Sequence, residues 1–308
     1  MALKLGANSI NKLYLGSTAI NKAYLGAGIL FSGGFSPASL FAGGQEGLWL
    51  EVVKFSPELL FAGGTDGAWF DPSDLSTLFQ DSAGTTPVTA SGQPVGKMLD
   101  KSGNGNHATQ ATAARRPTYT EGGGLAWLAF DGVDDSMTTD AVDFSSTDKV
   151  SVFAGVRKLT DGSTGPIIIN ADKGSDNGSF TLYAPHNTTS RKWAWSLGGS
   201  SQNFYAVNTL AAPNTAVMTG LFDGAGSDLA ARINPRLNGV TQTSFSISVG
   251  GGTAANFQNA ALRIGNQSAT VDYFNGNLYG LIIPGKLASA DEIAATEAYM
   301  AAKSGVTL

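Results

Sequence analysis

Residues 150–156, Val-Ser-Val-Phe-Ala-Gly-Val, open the stretch of sequence that decides the fold. From Trp69 onwards the chain alternates strand-forming runs of about 6 to 8 residues with turns rich in Gly, Asn, Asp and Ser. This regular spacing is typical of a β-sandwich. The clearest strands are predicted at residues 150–156, 166–169, 180–183, 192–197, 216–222, 245–249, 261–264 and 279–283.

Two local signals flank these strands. Asn238-Gly239 predicts the tip of a hairpin, because both residues tolerate the positive φ that such turns require. At the C-terminal end, Ser289 is a good N-cap and Glu292 follows three residues later, as in a capping box. The sequence therefore predicts one helix, which begins after Ser289 and ends at Gly305.

The composition agrees with a β protein. Only 14% of the 308 residues are charged, and 40 are Gly. Glycine serves turns and bulges and weakens helices, so the chain is not an ordinary helical bundle. The 16 Phe, 8 Tyr and 5 Trp residues supply enough apolar side chain for a buried core, which argues against wholesale disorder.

Charge and cysteine content exclude several function classes. The net charge is −5, and the largest basic cluster is Arg115-Arg116, so nucleic acid is not an expected partner. The chain has no Cys, which rules out disulfides, thiolate metal sites and cysteine nucleophiles. The N-terminal residues 1–12 contain no signal-peptide core, and no apolar run reaches the roughly 18 residues of a membrane helix. We expect a product that stays in the compartment of synthesis unless an assembly carries it, with no membrane insertion.

The first 34 residues carry a ten-residue repeat. Lys4-Leu5-Gly6 is followed by Tyr14-Leu15-Gly16 and Tyr24-Leu25-Gly26, and Ile10-Asn11-Lys12 recurs as Ile20-Asn21-Lys22. Each unit predicts a short strand and then a Gly-led polar turn. These strands are too few to bury a core alone, so they need a partner surface.

We expect residues 1–34 to attach the protein to a larger assembly by strand addition. The aliphatic side chains would enter apolar grooves, and the lysines would meet acidic residues at the rim. The predicted anchor residues are Leu5, Tyr14, Leu15, Ile20, Tyr24, Leu25, Lys12 and Lys22.

Residues 35–70 carry a second repeat, with a period of twenty. Phe-Ser-Pro, Leu-Phe-Ala-Gly-Gly and Trp recur in the same order in residues 35–49 and 55–69. Ser-Pro predicts a turn or a helix start, and Gly-Gly releases the chain into an extended segment. The segment is either a duplicated connector or an adaptor that docks on equivalent sites of an oligomeric mount.

Residues 71–308 resemble a known domain family. The strings Asp-Lys-Ser-Gly-Asn-Gly-Asn-His-Ala at 100–108 and Phe-Asp-Gly-Val-Asp-Asp at 130–135 are similar to the opening of LamG-like, concanavalin A-type lectin/glucanase domains. Residues 262–265, residues 274–279 and the terminal helix match the closing segment. The resemblance implies an all-β, concanavalin A-like jelly-roll sandwich, preceded by short β-repeats and closed by one C-terminal helix.

A second resemblance concerns the context of this domain. Residues 69–84 and the Tyr-Leu-Gly repeats are similar to structural proteins of tailed phages and prophages. This implies a bacteriophage virion protein, made in the host cytoplasm, with other virion proteins as partners. Because phage fibres are usually trimeric, the resemblance also implies a homo-oligomer, most simply a trimer. The exposed strand edges and apolar side chains of residues 1–70 favour such association.

The sequence offers no catalytic pattern, so we predict that the protein is not an enzyme. Glycosidases of this fold need two closely placed carboxylates. The glutamates lie at Glu46, Glu51, Glu58, Glu121, Glu292 and Glu297, none beside a second acid on a clear core strand. No nucleophile elbow is present, and His107 and His186 both lie in polar loops, where we expect His107 to hold a hydrogen bond.

Metal and ligand sites remain open at this point. Asp131, Asp134 and Asp135 are candidates for Ca²⁺, which prefers oxygen ligands, although Asp-Gly and Asp-Asp turns need no ion. We therefore expect no required cofactor. A candidate glycan site lies at the tip of the sandwich, where Trp193 and Trp195 share a strand face and form either a sugar platform or sheet core. Its residues are His186, Asn187, Arg191, Trp193 and Trp195.

The preferred interpretation is a tail-fibre or receptor-binding component that mounts by its N-terminal repeats and displays a lectin-like domain to host-surface glycans. A capsid decoration or head-fibre protein is the alternative within the virion. A bacterial adhesin or lectin, or an enzyme that trims polysaccharide, are the alternatives outside that role.

Overall fold

A computed structural model describes residues 4–5, 8–9, 55–171, 177–186, 193–198, 203–207, 209–243, 246–248, 256–267 and 272–308. The chain divides into two compact units, Met1–Ser56 and Pro57–Leu308. Within the first unit the described residues form one two-stranded sheet, in which β1 (Lys4–Leu5) pairs with β2 (Asn8–Ser9). The second strand falls within the turn predicted after Gly6.

The second unit is almost entirely β. In chain order its strands are β3 (Gly67–Phe70), β4 (Leu78–Phe79), β5 (Lys97–Met98), β6 (Ala108–Thr109), β7 (Thr118–Gly122), β8 (Leu125–Asp131), β9 (Met137–Asp143), β10 (Lys149–Lys158), β11 (Pro166–Asn170), β12 (Phe180–Tyr183), β13 (Trp193–Leu197), β14 (Asn203–Val207), β15 (Asn214–Asp223), β16 (Ile233–Leu237), β17 (Val240–Thr241), β18 (Ser246–Ser248), β19 (Asn259–Ile264) and β20 (Asn275–Pro284). The described helices are α1 (Leu229–Arg232) and α2 (Ala290–Ser304), with short 3₁₀ turns at Pro57–Phe61, Leu75–Thr77 and Ala113–Arg115. All eight predicted strands are present, each within a few residues of its expected bounds.

These strands form two antiparallel sheets. The smaller has the order β17-β16-β15-β10-β20-β8-β7, and β3 also pairs with β20. The larger has the order β18-β14-β13-β12-β11-β19-β9-β6-β5-β4. Their facing side chains build one apolar core that joins, for example, Val152 of β10 and Leu278 of β20 to Phe180 and Leu182 of β12. The molecule is therefore the predicted jelly-roll β-sandwich.

The C-terminal helix packs on the outside of the smaller sheet. Ser289 caps it and forms the predicted capping box with Glu292, and Gly305 ends it in the left-handed conformation. Gly155 of β10 lies opposite Gly280 of β20, and Met300 packs where their side chains would be: a Cβ on Gly280 would lie 3.0 Å from its sulfur. These two glycines let the helix approach the sheet. No described helix has the length and apolar character that crossing a membrane would require.

The sandwich also includes residues before the boundary predicted at residue 71. In the turn at Pro57–Phe61, Leu60 is fully buried and Phe61 is 6% exposed. The following strand β3 pairs with β20 through residues 67–70. The second copy of the twenty-residue repeat, predicted as part of a connector or adaptor, thus contributes from Pro57 onwards to the compact unit.

Candidate functional site

The larger sheet carries a buried second face, opposite the main core, on β11 to β14. Directly opposed residues of an antiparallel pair point to the same face. One cross-strand row runs from Ser196 through Thr181 and Ile169 to Arg263. Ser196, Thr181 and Ile169 are fully buried although they lie on this outer face.

A second row on the same face forms an apolar cluster of its own. It joins Tyr183 of β12 to Ala194 of β13 and Ala206 of β14, separate from the main core. Tyr183 is 2% exposed and lies at the end of its strand, so its ring closes this cluster beside the loop that follows.

The end of β12 brings an aromatic ring against an imidazole, and a carboxyl group lies near enough for its charge to act on the phenol. The rings of Tyr183 and His186 meet edge to face, with centroids 4.9 Å apart and planes at 87°. Burial raises the pKa of Tyr183 to about 12, and the negative charge of Asp272 acts in the same direction. Burial also raises the pKa of the Asp272 carboxyl. The phenol is therefore a neutral hydrogen-bond donor at physiological pH, with an acid in its neighbourhood.

Asp272 reaches this position through an unusual backbone conformation. Its φ is +59°, in the left-handed region that non-glycine residues seldom occupy. Asn266 and Tyr273 form an isolated bridge next to it, which holds the turn after β19 against the start of β20. Such sparsely populated conformations concentrate at ligand-binding sites, so we name Tyr183, His186 and Asp272 the tip cluster.

The tip cluster contains one of the predicted ligand residues. His186 belongs to it, whereas Asn187 and Arg191 fall outside the described residues. Tyr183 and Asp272 did not enter the predicted set. A signal is present in the sequence for Tyr183 alone, which ends a predicted strand three residues before His186.

Trp193 and Trp195 belong to the sheet core. Both side chains are fully buried in the main apolar cluster. The Trp193 indole donates to the carbonyls of Thr209 (3.0 Å) and Leu210 (3.2 Å), and the Trp195 indole donates to Thr219 (2.9 Å). Lys158 lies over the Trp193 ring, with Nζ 4.5 Å from its centroid. The sequence left two interpretations open for this pair, a sugar platform or sheet core. The structure shows sheet core, and neither ring has an exposed face on which a sugar could pack.

The three candidate metal ligands form one tight turn between β8 and β9. Each offers a carboxylate oxygen, and these oxygens lie within 4.8 Å of one another. Asp131 Oδ1 accepts the backbone N–H groups of Val133, Asp134 and Asp135 at 2.8, 3.2 and 3.3 Å. Oxygen donors suit a hard cation, but these bonds already account for the shape of the turn. Calcium binding at Asp131, Asp134 and Asp135 stays a prediction.

Burial and charge repulsion act together on the Asp135 carboxyl in this turn. Burial raises the pKa of Asp135 to about 7, and the negative charge of Asp131 adds to the effect. Asp134 lies 3.7 Å from Arg115, an exposed ion pair that offsets part of the negative charge. Near neutral pH the turn holds a carboxyl group that is only partly ionised.

The motif at residues 100–108 has a structural role. The Asp100 carboxylate accepts from Trp69 N (2.8 Å), Ser102 N (2.9 Å), Ser102 Oγ (2.7 Å) and Asn106 N (2.9 Å). His107 Nδ1 accepts the Asp100 N–H at 3.1 Å, which is the hydrogen-bonded loop role expected of it. This loop therefore fastens β3 to the sandwich.

The anchor residues cannot be placed in the same way. Leu5 lies in β1, where its backbone pairs with Asn8. The remaining anchor residues lie outside the described part of the chain: Tyr14, Leu15, Ile20, Tyr24, Leu25, Lys12 and Lys22.

Comparison with known proteins supports the fold. No family model matches the chain, and no curated protein matches it. Among solved structures, an arabinofuranosidase in complex with arabinofuranosyl-α-1,2-xylobiose superposes with a TM-score of 0.56 and 14% identity, over 81% of this chain and 65% of that one. A botulinum neurotoxin type C structure, whose title ties cell entry to two ganglioside molecules, gives 0.49 and 12%, over 77% of this chain and 51% of that one. The binding domain of botulinum neurotoxin serotype D/C gives 0.49 and 10%, over 80% and 53%.

The similarity to the arabinofuranosidase shows a fold in common, a concanavalin A-like jelly-roll sandwich with the architecture of lectin-like domains. This chain spans 65% of that protein and about half of each toxin structure. The comparison also corrects the expectation that the protein is not an enzyme, because a glycoside hydrolase is among the structures with this fold. That expectation rested on the absence of a familiar carboxylate pair, and the same sandwich supports hydrolases as well as binding domains.

Proposed function

We propose that this protein is a structural component of a tailed-phage particle, at the tail fibre or receptor-binding position, whose sandwich binds a glycan of the host surface. The observation that carries the glycan-binding part is the tip cluster, in which the rings of Tyr183 and His186 lie 4.9 Å apart beside Asp272.

The chemistry of the tip cluster suits a sugar. A carbohydrate presents hydroxyl groups that need both donors and acceptors, together with C–H faces that pack on aromatic rings. The His186 ring, which is only partly buried, supplies a nitrogen and an apolar surface, and the Asp272 carboxyl supplies oxygens, while the buried Tyr183 ring packs against the imidazole and holds it in place. Sites of this kind combine apolar surface with a few fixed polar groups.

The fold is compatible with this use. The arabinofuranosidase with the same sandwich was crystallised with a xylobiose-based sugar, so the architecture can hold a glycan. At 14% identity the ligand of that protein does not transfer, and the glycan of this chain is named only by class.

The mount is proposed from the sequence. Residues 1–34 repeat a strand-and-turn unit that needs a partner surface, and Lys12 and Lys22 occupy equivalent positions in it. Several weak strands held together in a trimer would bind a particle by avidity. Virion proteins and two further copies of this chain are the proposed partners, and the virion is the proposed location.

Binding of full-length protein to arrayed bacterial envelope polysaccharides tests the glycan site. His186→Ala should weaken binding by about tenfold, the loss of one good hydrogen bond or ring contact. His107→Asn is the matched control, since His107 precedes β6, four strands away from β12 in the same sheet, and it should bind as the native protein does.

Three results would reject parts of this proposal. Equal binding by His186→Ala and the native protein removes the tip cluster from the site. Release of reducing sugar during the same incubations identifies a hydrolase rather than a binding protein. Absence of the chain from purified particles in immunoelectron microscopy rejects the virion assignment, and labelling at the head favours the decoration protein.

A further inference from the structure

The second copy of the twenty-residue repeat is docked into a defined groove of the sandwich. Pro57–Phe61 forms a 3₁₀ turn that buries Leu60 and Phe61. Gly63 and Gly64 then reverse the chain, with φ of +77° and +80°, so that β3 enters beside β20.

Both edges of β3 form hydrogen bonds with the groove. On one side Gly67–Phe70 pairs with residues 281–284 of β20. On the other side, Trp69 N–H donates to Asp100 Oδ1 at 2.8 Å and Lys101 N–H donates to the Trp69 carbonyl at 2.8 Å. The side-chain amides of Asn104 and Asn106 donate to the Gly67 carbonyl at 3.1 and 2.8 Å. Each of these bonds uses a backbone group of β3, so another sequence could make them too.

One position in the groove admits only glycine. Gly67 has a φ of +135°, and a Cβ there would lie 1.9 Å from the carbonyl oxygen of Ile283. Any side chain at this position would push β3 away from β20. A segment that fits the groove must therefore carry glycine at this point, together with a Leu-Phe pair seven residues before it.

The first copy of the repeat meets these requirements in sequence. Ten of fifteen positions are identical between residues 35–49 and 55–69. Gly47 stands where Gly67 does, Leu40-Phe41 where Leu60-Phe61 does, and Gly43-Gly44 where Gly63-Gly64 does. Four of the five differing positions, 58, 59, 65 and 66, are not buried in the docked copy.

The fifth difference sets an order of preference. Ala68 is fully buried, and the first copy has the larger Leu48 in its place. Phe70 is also fully buried on the same face, and the first copy has the smaller Leu50 in its place. This smaller side chain compensates for part of the volume that Leu48 adds. Overpacking of a core position is unfavourable, so the second copy fills the groove in the resting protein.

We propose that residues 35–50 are a reserve segment for the groove between β20 and the 100–107 loop, and that they replace residues 55–70 there within the same chain. The exchange moves the docked segment twenty residues toward the N-terminus. It frees an equal length of chain between the groove and Asp71, and it shortens the arm to residues 1–34 by up to about 70 Å of extended backbone. Tethering favours the same chain as the source, because it keeps the reserve segment at a high effective concentration.

Three variants of the full chain test this exchange by thermal unfolding. Gly67→Val blocks the second copy, Gly47→Val blocks the first, and the third variant combines them. If the reserve segment works, Gly47→Val leaves the midpoint unchanged and Gly67→Val lowers it by only a few degrees. The double variant then loses at least twice the sum of the single shifts. Equal midpoints for Gly67→Val and the double variant overturn the proposal.

A disulfide reports the docked segment directly, because the native chain has no cysteine. Ala68 lies opposite Ile283, so Ala68→Cys with Ile283→Cys should cross-link within one chain in the native background. Leu48→Cys with Ile283→Cys should cross-link within one chain in the Gly67→Val background, at least tenfold more than in the native background. No cross-link there, or one that joins two chains, overturns the exchange as stated.

Discussion

Arg236 of β16 and Glu297 of α2 form a two-pronged ion pair that fastens the terminal helix to the sheet. Arg236 Nε donates to Glu297 Oε1 at 2.8 Å, and a terminal guanidinium nitrogen donates to Oε2 at 2.9 Å. Glu297 is 2% exposed, so Arg236 takes the place of water as the hydrogen-bond partner of its carboxylate. The bonds to Glu297 raise the pKa of the Arg236 guanidinium.

Removing the arginine should be costly. In Arg236→Met the Glu297 carboxylate stays buried without its partner, and we expect the free energy of unfolding to fall by roughly 3 kcal/mol in urea titrations. Replacing both residues, Arg236→Met with Glu297→Leu, should recover most of that loss. Lys286→Ala, at the more exposed pair with Glu292, is the control and should cost under about 1 kcal/mol. A loss as small as that control in Arg236→Met would show that the pair contributes little.

The Asp100 carboxylate should be equally important to the fold. Asp100→Ala leaves the buried N–H groups of Trp69 and Ser102 without acceptors, which should lower the free energy of unfolding by roughly 2 to 4 kcal/mol. Asp143→Ala is the matched control, because that carboxylate is exposed and accepts a single backbone N–H, from Ser145. Similar urea midpoints for the two variants would contradict the role of the 100–107 loop in holding β3.

Asp135 should make the protein less stable as the pH rises. Its pKa is about 7 in the fold, against 3.8 for the ordinary carboxyl, so between these values the folded state binds more protons than the unfolded state. The free energy of unfolding therefore falls from about pH 4 to pH 7. Asp135→Asn keeps an acceptor for Asp131 N–H and removes the charge, so it should be more stable than the native protein at pH 8 by roughly 1 to 2 kcal/mol after allowance for solvent screening.

Thermal unfolding at pH 4 and at pH 8 measures this difference. The gain in stability of Asp135→Asn should vanish at pH 4, where the native carboxyl is protonated and therefore uncharged, like the amide of the variant. Added calcium should reverse the order at pH 8 if the turn binds the ion, since the variant lacks one ligand. The same gain at both pH values would assign the effect to packing instead.

Deletion of residues 1–34 tests the proposed mount. The shortened chain should keep the β-rich circular dichroism spectrum of the sandwich, because residues 57–308 form a compact unit with an apolar core of its own. It should no longer appear on assembled particles. Incorporation at the normal copy number would place the anchor elsewhere, most simply in the repeat of residues 35–70.

Features set by neighbouring residues could be predicted from the sequence. The hairpin tip has φ of +49° at Asn238 and +78° at Gly239, and the capping box forms at Ser289, as their local chemistry requires. The spacing of strands and turns also predicted the sandwich, because each strand has a recognisable pattern within a few neighbouring residues.

Features set by residues distant in sequence could not be predicted in this way. Alternation places Trp193 and Trp195 on one face of β13, but only the packing of this sheet against the smaller sheet decides that this face is the core. The partner of β3 is more than two hundred residues away in sequence, so the sequence indicates a connector or an adaptor outside the sandwich for the repeat before residue 71. The tip cluster likewise depends on Asp272, which no local pattern relates to Tyr183.

The contacts of Asp71 have a mechanical meaning. This carboxylate, the first residue after β3, accepts hydrogen bonds from Tyr299 and Lys303 of the terminal helix, both at 2.8 Å. These bonds join the first strand of the sandwich, β3, to its last helix, α2. They lie at the end of β3, where a pulling force applied through the N-terminal repeats would act. Such a force would load the hydrogen bonds of Asp71 to Tyr299 and Lys303 directly after β3. The strands that follow Asp71 would bear the force only after these bonds break.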